Sequence, residues 1–217
     1  MSAARAVGVL DNRRLAAVMF LDMAGFAAHM NKDEPRAMSH VKDLESILRS
    51  EVPRLRGRVV KFFGDGSMME FPTALAAGLC AQKLHERIGM RNACLPKEER
   101  FLVRIGLHLG ELVDEHGDIY GDAVNIAARI RPMADPGGIS MTGTFYAQIK
   151  NHLKLRGLRT QPVKLKHIPE RMSLFLVPAQ ETSLPAMWVA QRGKALFLSV
   201  ITLLLCVTLA VAWFVWK

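Results

Sequence analysis

Cysteine is scarce in this sequence. Of 217 residues only three are cysteines, Cys80, Cys94 and Cys206, and no two lie at close spacing. That excludes a disulfide framework and a cysteine-based zinc site, and it suits a reducing compartment. The seven histidines form no cluster with metal-ligand spacing. His108, embedded in an apolar run, reads as a packed or hydrogen-bonded residue rather than a ligand. The first ten residues lack an apolar stretch long enough for a secretory signal. Internal repeats and low-complexity tracts are missing as well. So are runs of like charge: the formal net charge is +9, yet the lysines and arginines are scattered among acids and are not interleaved with aromatics. A nucleic-acid partner is therefore disfavoured, and attraction to an anionic lipid leaflet is the simpler account of the excess.

What is present begins with the C-terminus. Ala195 to Trp216 is a charge-free run of 22 residues rich in Leu, Val, Ile and Phe. As a helix it would reach roughly 33 Å, enough for a hydrocarbon core of about 30 Å. Trp188, Trp213 and Trp216 fall where interfacial aromatics belong, and Arg192 and Lys194 precede the span while only Lys217 follows it. The charge bias predicts a single-pass anchor in the inner or plasma membrane, with the N-terminal domain in the cytoplasm. The expected organisation is a flexible leader over 1–12, one domain over 13–178, a juxtamembrane connector over 179–194 and a transmembrane helix over 195–216.

Within the domain, apolar runs alternate with helical periodicity. Arg14 to Leu21 predicts a central strand, since Leu15 to Leu21 is continuously apolar. A helix is expected over about Pro35 to Ser50, introduced by Asp33 and Glu34 and stopped by Pro53. A hairpin follows over Arg58 to Phe71 with Gly64-Asp65-Gly66 as its turn. Thr73 caps a helix to about Arg91, and Asn92 to Arg100 reads as a polar loop. Phe101 to His108 is strand-like, with a turn expected at Gly110 and a return at Glu111 to Val113. Gly117 to Arg129 reads as a loop entering a helix that runs over Asp122 to Met133. A strand at Ile139 to Thr142, a short helix opened by Thr144, and strand-like pieces at Val163 to Leu165 and Leu174 to Val177 complete the domain. The pattern gives an α+β class with helices on a mixed sheet. On pattern alone, a flavodoxin-like arrangement stays open.

Three motifs occur in order: Asp22 after the first strand, Lys61-Phe62-Phe63-Gly64-Asp65 in the hairpin, and Asp118-Ile119-Tyr120-Gly121-Asp122-Ala123-Val124-Asn125 ending on Arg129. Together they resemble the catalytic domain of class III adenylate and guanylate cyclases, bacterial adenylate cyclase type, over about Arg13 to Val177. The resemblance implies the ferredoxin-like cyclase fold and conversion of ATP to 3′,5′-cyclic AMP and pyrophosphate. It also implies two divalent cations, Mg²⁺ or Mn²⁺, held by Asp22, Asp65 and the Met23 carbonyl. Carboxylate and carbonyl oxygens suit such hard ions. The loop Met23-Ala24-Gly25-Phe26-Ala27 would cradle phosphates through its N–H groups, with Ala27 supplying backbone where relatives often have a hydroxyl. Lys61 and Asp118 fall at the offsets of the purine-reading pair, and a cation plus an acceptor matches adenine. Asn125 would orient the ribose, and Arg129 would stabilise charge on the α-phosphate. Lys166, in Leu165-Lys166-His167, is a further candidate triphosphate contact, whereas Gly137-Gly138 lacks the basic residue that some relatives carry. Family sites are shared between subunits, so a homodimer is implied, beside ATP and membrane lipid as partners. The rival readings are a guanylate cyclase, a silent nucleotide-binding membrane regulator, and a tail-anchored adaptor.

Overall fold

The structure, a computed structural model, describes residues 12–166 and 168–179. Its central strand is β1 (Arg13–Met23), in which every residue from Ala16 onward is buried. Cover on both faces is why this stretch is apolar without alternation. β1 runs antiparallel to β3 (Gly66–Phe71) on one side and to β4 (Val103–Glu115) on the other. β2 (Arg58–Phe63) forms the expected hairpin with β3. Beyond β4 come β6 (Ile139–Thr142), β10 (Leu174–Val177) and β7 (Leu158–Arg159), in the order β2-β3-β1-β4-β6-β10-β7. β5 (Asp118–Tyr120) folds back onto the end of β4, while β8 (Val163–Lys164) and β9 (Arg171–Met172) make a separate two-stranded ribbon. Among the described strands only β4 and β6 pair in parallel. A flavodoxin-like sheet would be parallel throughout, so that alternative is excluded and the mixed α+β sheet stands.

Period-2 alternation divides β1 between two cores. Ala17, Met19, Leu21 and Met23 face the larger one, built with α2 (Glu34–Glu51), α3 (Ala74–Ala93) and α5 (Gly143–Ile149). Ala16, Val18 and Phe20 face the other, where Ala123 and Ala127 of α4 (Asp122–Ile130) pack with Met68. Asp22 follows that second set. α2 is capped by the Asp33 side chain, which accepts the Arg36 N–H, and α3 by Thr73, which accepts the Ala76 N–H.

Four local expectations are corrected. The segment after Gly25 coils into a short helix, α1 (Phe26–Lys32), instead of remaining a loop. Gly110 does not turn: β4 continues through it, because Gly110 pairs with Ala16 within an unbroken eleven-residue register against β1. Its lack of a side chain serves helix packing, since a Cβ there would lie 3.0 Å from the Ala123 Cβ. Asn92 belongs to α3, not to a polar loop. It is buried, donating to the Phe101 carbonyl (2.7 Å) and accepting the Phe101 N–H. The cap of α5 is Thr142, whose hydroxyl accepts the Phe145 N–H, and Thr144 already lies inside the helix. The expected leader before Asn12, the connector beyond Ala179 and the span at 195–216 lie outside the described residues. Among the described residues no helix is long and apolar enough to cross a membrane.

Candidate active site

The end of β1 and the tip of the β2–β3 hairpin are fastened together. Asp22 pairs with Gly66 across the sheet, and the Met23 N–H donates to the Asp65 carbonyl at 3.1 Å. Gly64, at φ 63°, takes the left-handed conformation the tight turn requires. Two carboxylates distant in sequence thereby become neighbours at one strand end. Asp22 is only 6% exposed. Burial pushes the Asp65 carboxyl above its ordinary range, and the adjacent Asp22 charge adds to this, against the pull of Arg131 and Arg104.

Those two arginines were not singled out by sequence reasoning. Arg104 lies opposite Asp22 in the β1–β4 register and grips it with both ends of its fork, Nε to Oδ1 at 3.0 Å and Nη2 to Oδ2 at 2.7 Å. Arg131, in the single turn of 3₁₀ helix after α4, places Nε 3.2 Å from Asp22 Oδ2. A signal for Arg104 did exist, as a lone cation interrupting the apolar run Phe101 to Leu107. Nothing comparable marks Arg131. Two carboxylates with the Met23 carbonyl beside them are a donor set of the type hard divalent ions prefer, and the two guanidiniums balance its charge in the free chain. Among the described residues no group of three or more His, Cys, Asp or Glu side chains could hold a metal ion.

The second pair is joined directly. Lys61 Nζ on β2 donates to Asp118 Oδ2 on β5 at 2.5 Å, and Asp118 Oδ1 also accepts the Ile119 N–H at 2.9 Å. The contact holds the Lys61 ammonium above its ordinary range and the Asp118 carboxyl below its own. Asn125 and Arg129 stand one turn apart on α4. Asn125 is exposed, while Arg129 is half-buried and its Nε has no hydrogen-bond partner among the described residues. No hydrogen bond or ion pair among the described residues joins the aspartates to Lys61–Asp118, Asn125 or Arg129.

Of the expected phosphate loop, two N–H groups are already engaged: Met23 with Asp65, and Ala24 with the Leu102 carbonyl at 2.8 Å. Gly25, at φ 72°, then turns the chain so that Phe26 and Ala27 open α1. Only the N–H groups from Gly25 to Ala27 are left to face a ligand, a smaller cradle than the sequence suggested. Lys166 is exposed and follows Leu165, which packs beneath Ile126 and Ile130 of α4.

The chain thus carries an acidic pair with arginines beside it, a pre-formed Lys–Asp pair, and on a helix an arginine whose Nε has no hydrogen-bond partner among the described residues. Such a set can hold metal, polar base edges and phosphate, the chemistry of a nucleotide site. Comparison with known proteins points the same way. The family model for the adenylate and guanylate cyclase catalytic domain matches residues 11–178. A protein of Rhizobium meliloti (strain 1021) named "Putative adenylate cyclase 3" is 37% identical over 134 residues, covering 60% of this chain and 22% of that protein. An adenylate cyclase of Podospora anserina is 31% identical over 165 residues, covering 64% of this chain and 8% of its own length. The chain therefore spans a small part of these relatives. The crystal structure of an adenylate/guanylate cyclase/hydrolase from Silicibacter pomeroyi matches with a TM-score of 0.67 at 31% identity, covering 76% of this chain and 97% of that one. Trypanosoma brucei adenylate cyclases, solved in their monomeric state, share the fold with a TM-score of 0.64 at 20% identity, covering 76% and 90%. With the family model matched from before β1 to the end of β10, this chain belongs to the adenylate and guanylate cyclase catalytic domain family.

Proposed function

We propose that the chain is an adenylate cyclase, converting ATP to 3′,5′-cyclic AMP and pyrophosphate at sites shared between two copies. The observation that carries this is the junction of Asp22 and Asp65 at one strand end, on a chain that also holds Lys61 against Asp118. In ring closure the ribose 3′ oxygen attacks the α-phosphorus, a P–O bond forms, and the bond to the pyrophosphate oxygen breaks. Two divalent cations, when bound by Asp22, Asp65 and the Met23 carbonyl, would help ionise the attacking hydroxyl and balance charge on the leaving group. Arg104, beside Asp22, is positioned to turn its fork from that carboxylate to the triphosphate, and Gly25 to Ala27 offer N–H groups to the same oxygens. Lys61 would donate to an adenine ring nitrogen while Asp118 accepts from the exocyclic amine. Guanine, with a carbonyl there, would set acceptor against acceptor, which favours ATP over GTP.

Asn125 would orient the ribose, and Arg129, with Nε unpartnered, is available to stabilise the charge growing on the α-phosphate. Because no contact joins Arg129 to the aspartates within one chain, a second copy would supply it, giving two equivalent sites in a homodimer. We further propose that residues 195–216 anchor the domain on the cytoplasmic face of a membrane, to be checked by fractionation with and without that segment.

The deciding experiment is a cyclic AMP assay of the full chain in detergent, with ATP and GTP in competition. Asp65→Ala should abolish turnover, and full turnover by that variant would refute the reading. Asp22→Asn and Arg129→Ala should each be silent alone. Mixed, they should recover roughly a quarter of wild-type activity, since half the dimers are mixed and each has one intact site. A silent wild type that still binds ATP would favour a regulator over an enzyme.

A further inference from the structure

β5 is three residues long and hydrogen-bonds, as a strand, only to β4. It nevertheless carries Asp118, whose partner Lys61 is a long, exposed side chain, and an ion pair of that kind contributes little to holding a strand in place. The ladder with β4 and the buried Ile119 hold β5 on the sheet at one side; on the other side Arg58 ties its start to β2 and β3. Its Nη1 donates to the Gly117 carbonyl at 2.6 Å, next to Asp118; its Nη2 reaches Asp114 Oδ2 at 2.7 Å; and its Nε reaches Glu70 Oε1 at 2.9 Å. Glu70 is buried on β3, where Arg14 of β1 closes on both of its oxygens at 2.6 and 2.7 Å and also touches Asp114 at 3.1 Å. Two cations and two carboxylates thus form a neutral lattice that ties the β4–β5 turn to β1, β2 and β3.

The backbone supports the same arrangement. Residues 58 and 61 of a regular strand would point to opposite faces. The β2–β3 register shifts between Val59 and Lys61, so Arg58 lies opposite Glu70 and Lys61 opposite Met68, both on the α4 face. A bulge of this kind re-aims a side chain. It lets one strand present both the guanidinium that holds the turn and the ammonium that meets Asp118.

We infer that Arg58, through the lattice with Arg14, Glu70 and Asp114, is the positioning residue that sets base selectivity by holding Asp118 at a fixed place opposite Lys61. This rests on the adenylate cyclase reading above. Arg58 touches no reacting atom, so its loss should weaken purine reading and leave the chemical step nearly intact. In Arg58→Gln the preference for ATP over GTP, taken as the ratio of kcat/KM values, should fall about tenfold, the size of one charge-assisted hydrogen bond. KM for ATP should rise while kcat stays within about twofold. The ratio is measured on one preparation, so partial unfolding cancels from it. Asp114→Asn, which removes a charge from the lattice and leaves the Gly117 contact, should give a smaller shift in the same direction and serves if Arg58→Gln folds poorly. An unchanged ratio in both variants, or a loss confined to kcat, overturns the inference. A wild type that turns over neither nucleotide overturns the cyclase reading instead, and the ratio is then taken from ATP and GTP binding by calorimetry. A chain that binds neither nucleotide overturns both.

Discussion

Two glycine-to-alanine substitutions in this chain should change stability in opposite directions. Gly106 lies mid-sheet on β4, paired with Phe20 on one side and Ser140 on the other. A Cβ built there would sit 2.6 Å from the Ala127 carbonyl oxygen, 2.7 Å from the Arg131 nitrogen and 2.8 Å from the Arg131 Cα. All three are backbone atoms, so no rotamer change relieves the clash. Restoring an ordinary contact of 3.4 Å requires the end of α4 to lift by about 0.8 Å. Ala127 and Ile130 are fully buried there, and the Ser140 hydroxyl donates to the Ile130 carbonyl at 2.5 Å. Overpacking of this kind costs about 1–3 kcal/mol. For a domain of this size that is a fall of about 3–10 °C in melting temperature. Gly89 lies inside α3, and a Cβ added there would meet nothing within 4 Å. Alanine at that position should raise the melting temperature by about 1–3 °C, from roughly 0.5–1 kcal/mol of helix propensity. Thermal melts followed by circular dichroism measure both. Because Arg129 and Arg131 ride on the displaced segment, Gly106→Ala should also lose cyclase activity at temperatures where it stays folded. A Gly106→Ala variant melting within about 1 °C of wild type would show that α4 does not rest directly on β4.

Asn92→Ala should cost about 2–3 kcal/mol in chemical denaturation, because it strands the buried N–H and carbonyl of Phe101; a loss under about 0.5 kcal/mol would mean water replaces both bonds. Asp22→Asn should abolish cyclisation and lower the melting temperature by several degrees, since it leaves Arg104 and Arg131 facing a neutral amide; an active variant would remove Asp22 from the site. Acid should destabilise the fold through His85 and His108, which burial pushes down to about 4. Well above pH 6.5 both states hold these rings neutral and the fold has its full stability; as pH falls through 6.5 towards 4 the unfolded chain takes up protons that the folded chain refuses. The loss at pH 5 should be about 2 kcal/mol for each ring, and equal melting temperatures at pH 7.5 and 5.0 would contradict it. His108→Asn should flatten that dependence, and an undiminished slope would assign the effect to other groups.

Much of this fold was legible because it rests on local chemistry. The apolar run ending at Leu21 announced a strand that is covered on both faces from Ala16 onward, the glycines around Asp65 announced a hairpin, and Asp33 and Thr73 announced helix starts through caps made within three residues. Gly110 misled, because glycine breaks a strand only where nothing needs the space it leaves. Here α4 fills that space. Asn92 misled for a related reason: a polar residue near a helix end looks solvated until the chain returns, at Phe101 just before β4, to use both halves of its amide. The candidate site divides in the same way. Asp22, Lys61, Asp65, Asp118, Asn125 and Arg129 could be named because their motifs resemble those of the cyclase family, whereas Arg104, Arg131 and the lattice of Arg14, Arg58, Glu70 and Asp114 could not.

The sequence by itself determined the long strands and helices and the acids at their ends, since turn, cap and alternation signals act over a few residues; the short elements α1, β5, β7 and β9 it did not show. Only the tertiary structure decided which charges meet. Asp22 finds Arg104 across 82 residues, and Arg14 finds Glu70 across 56, because strand order and register bring them together. Pairing of that kind is a property of the folded sheet, and local spacing carries no record of it.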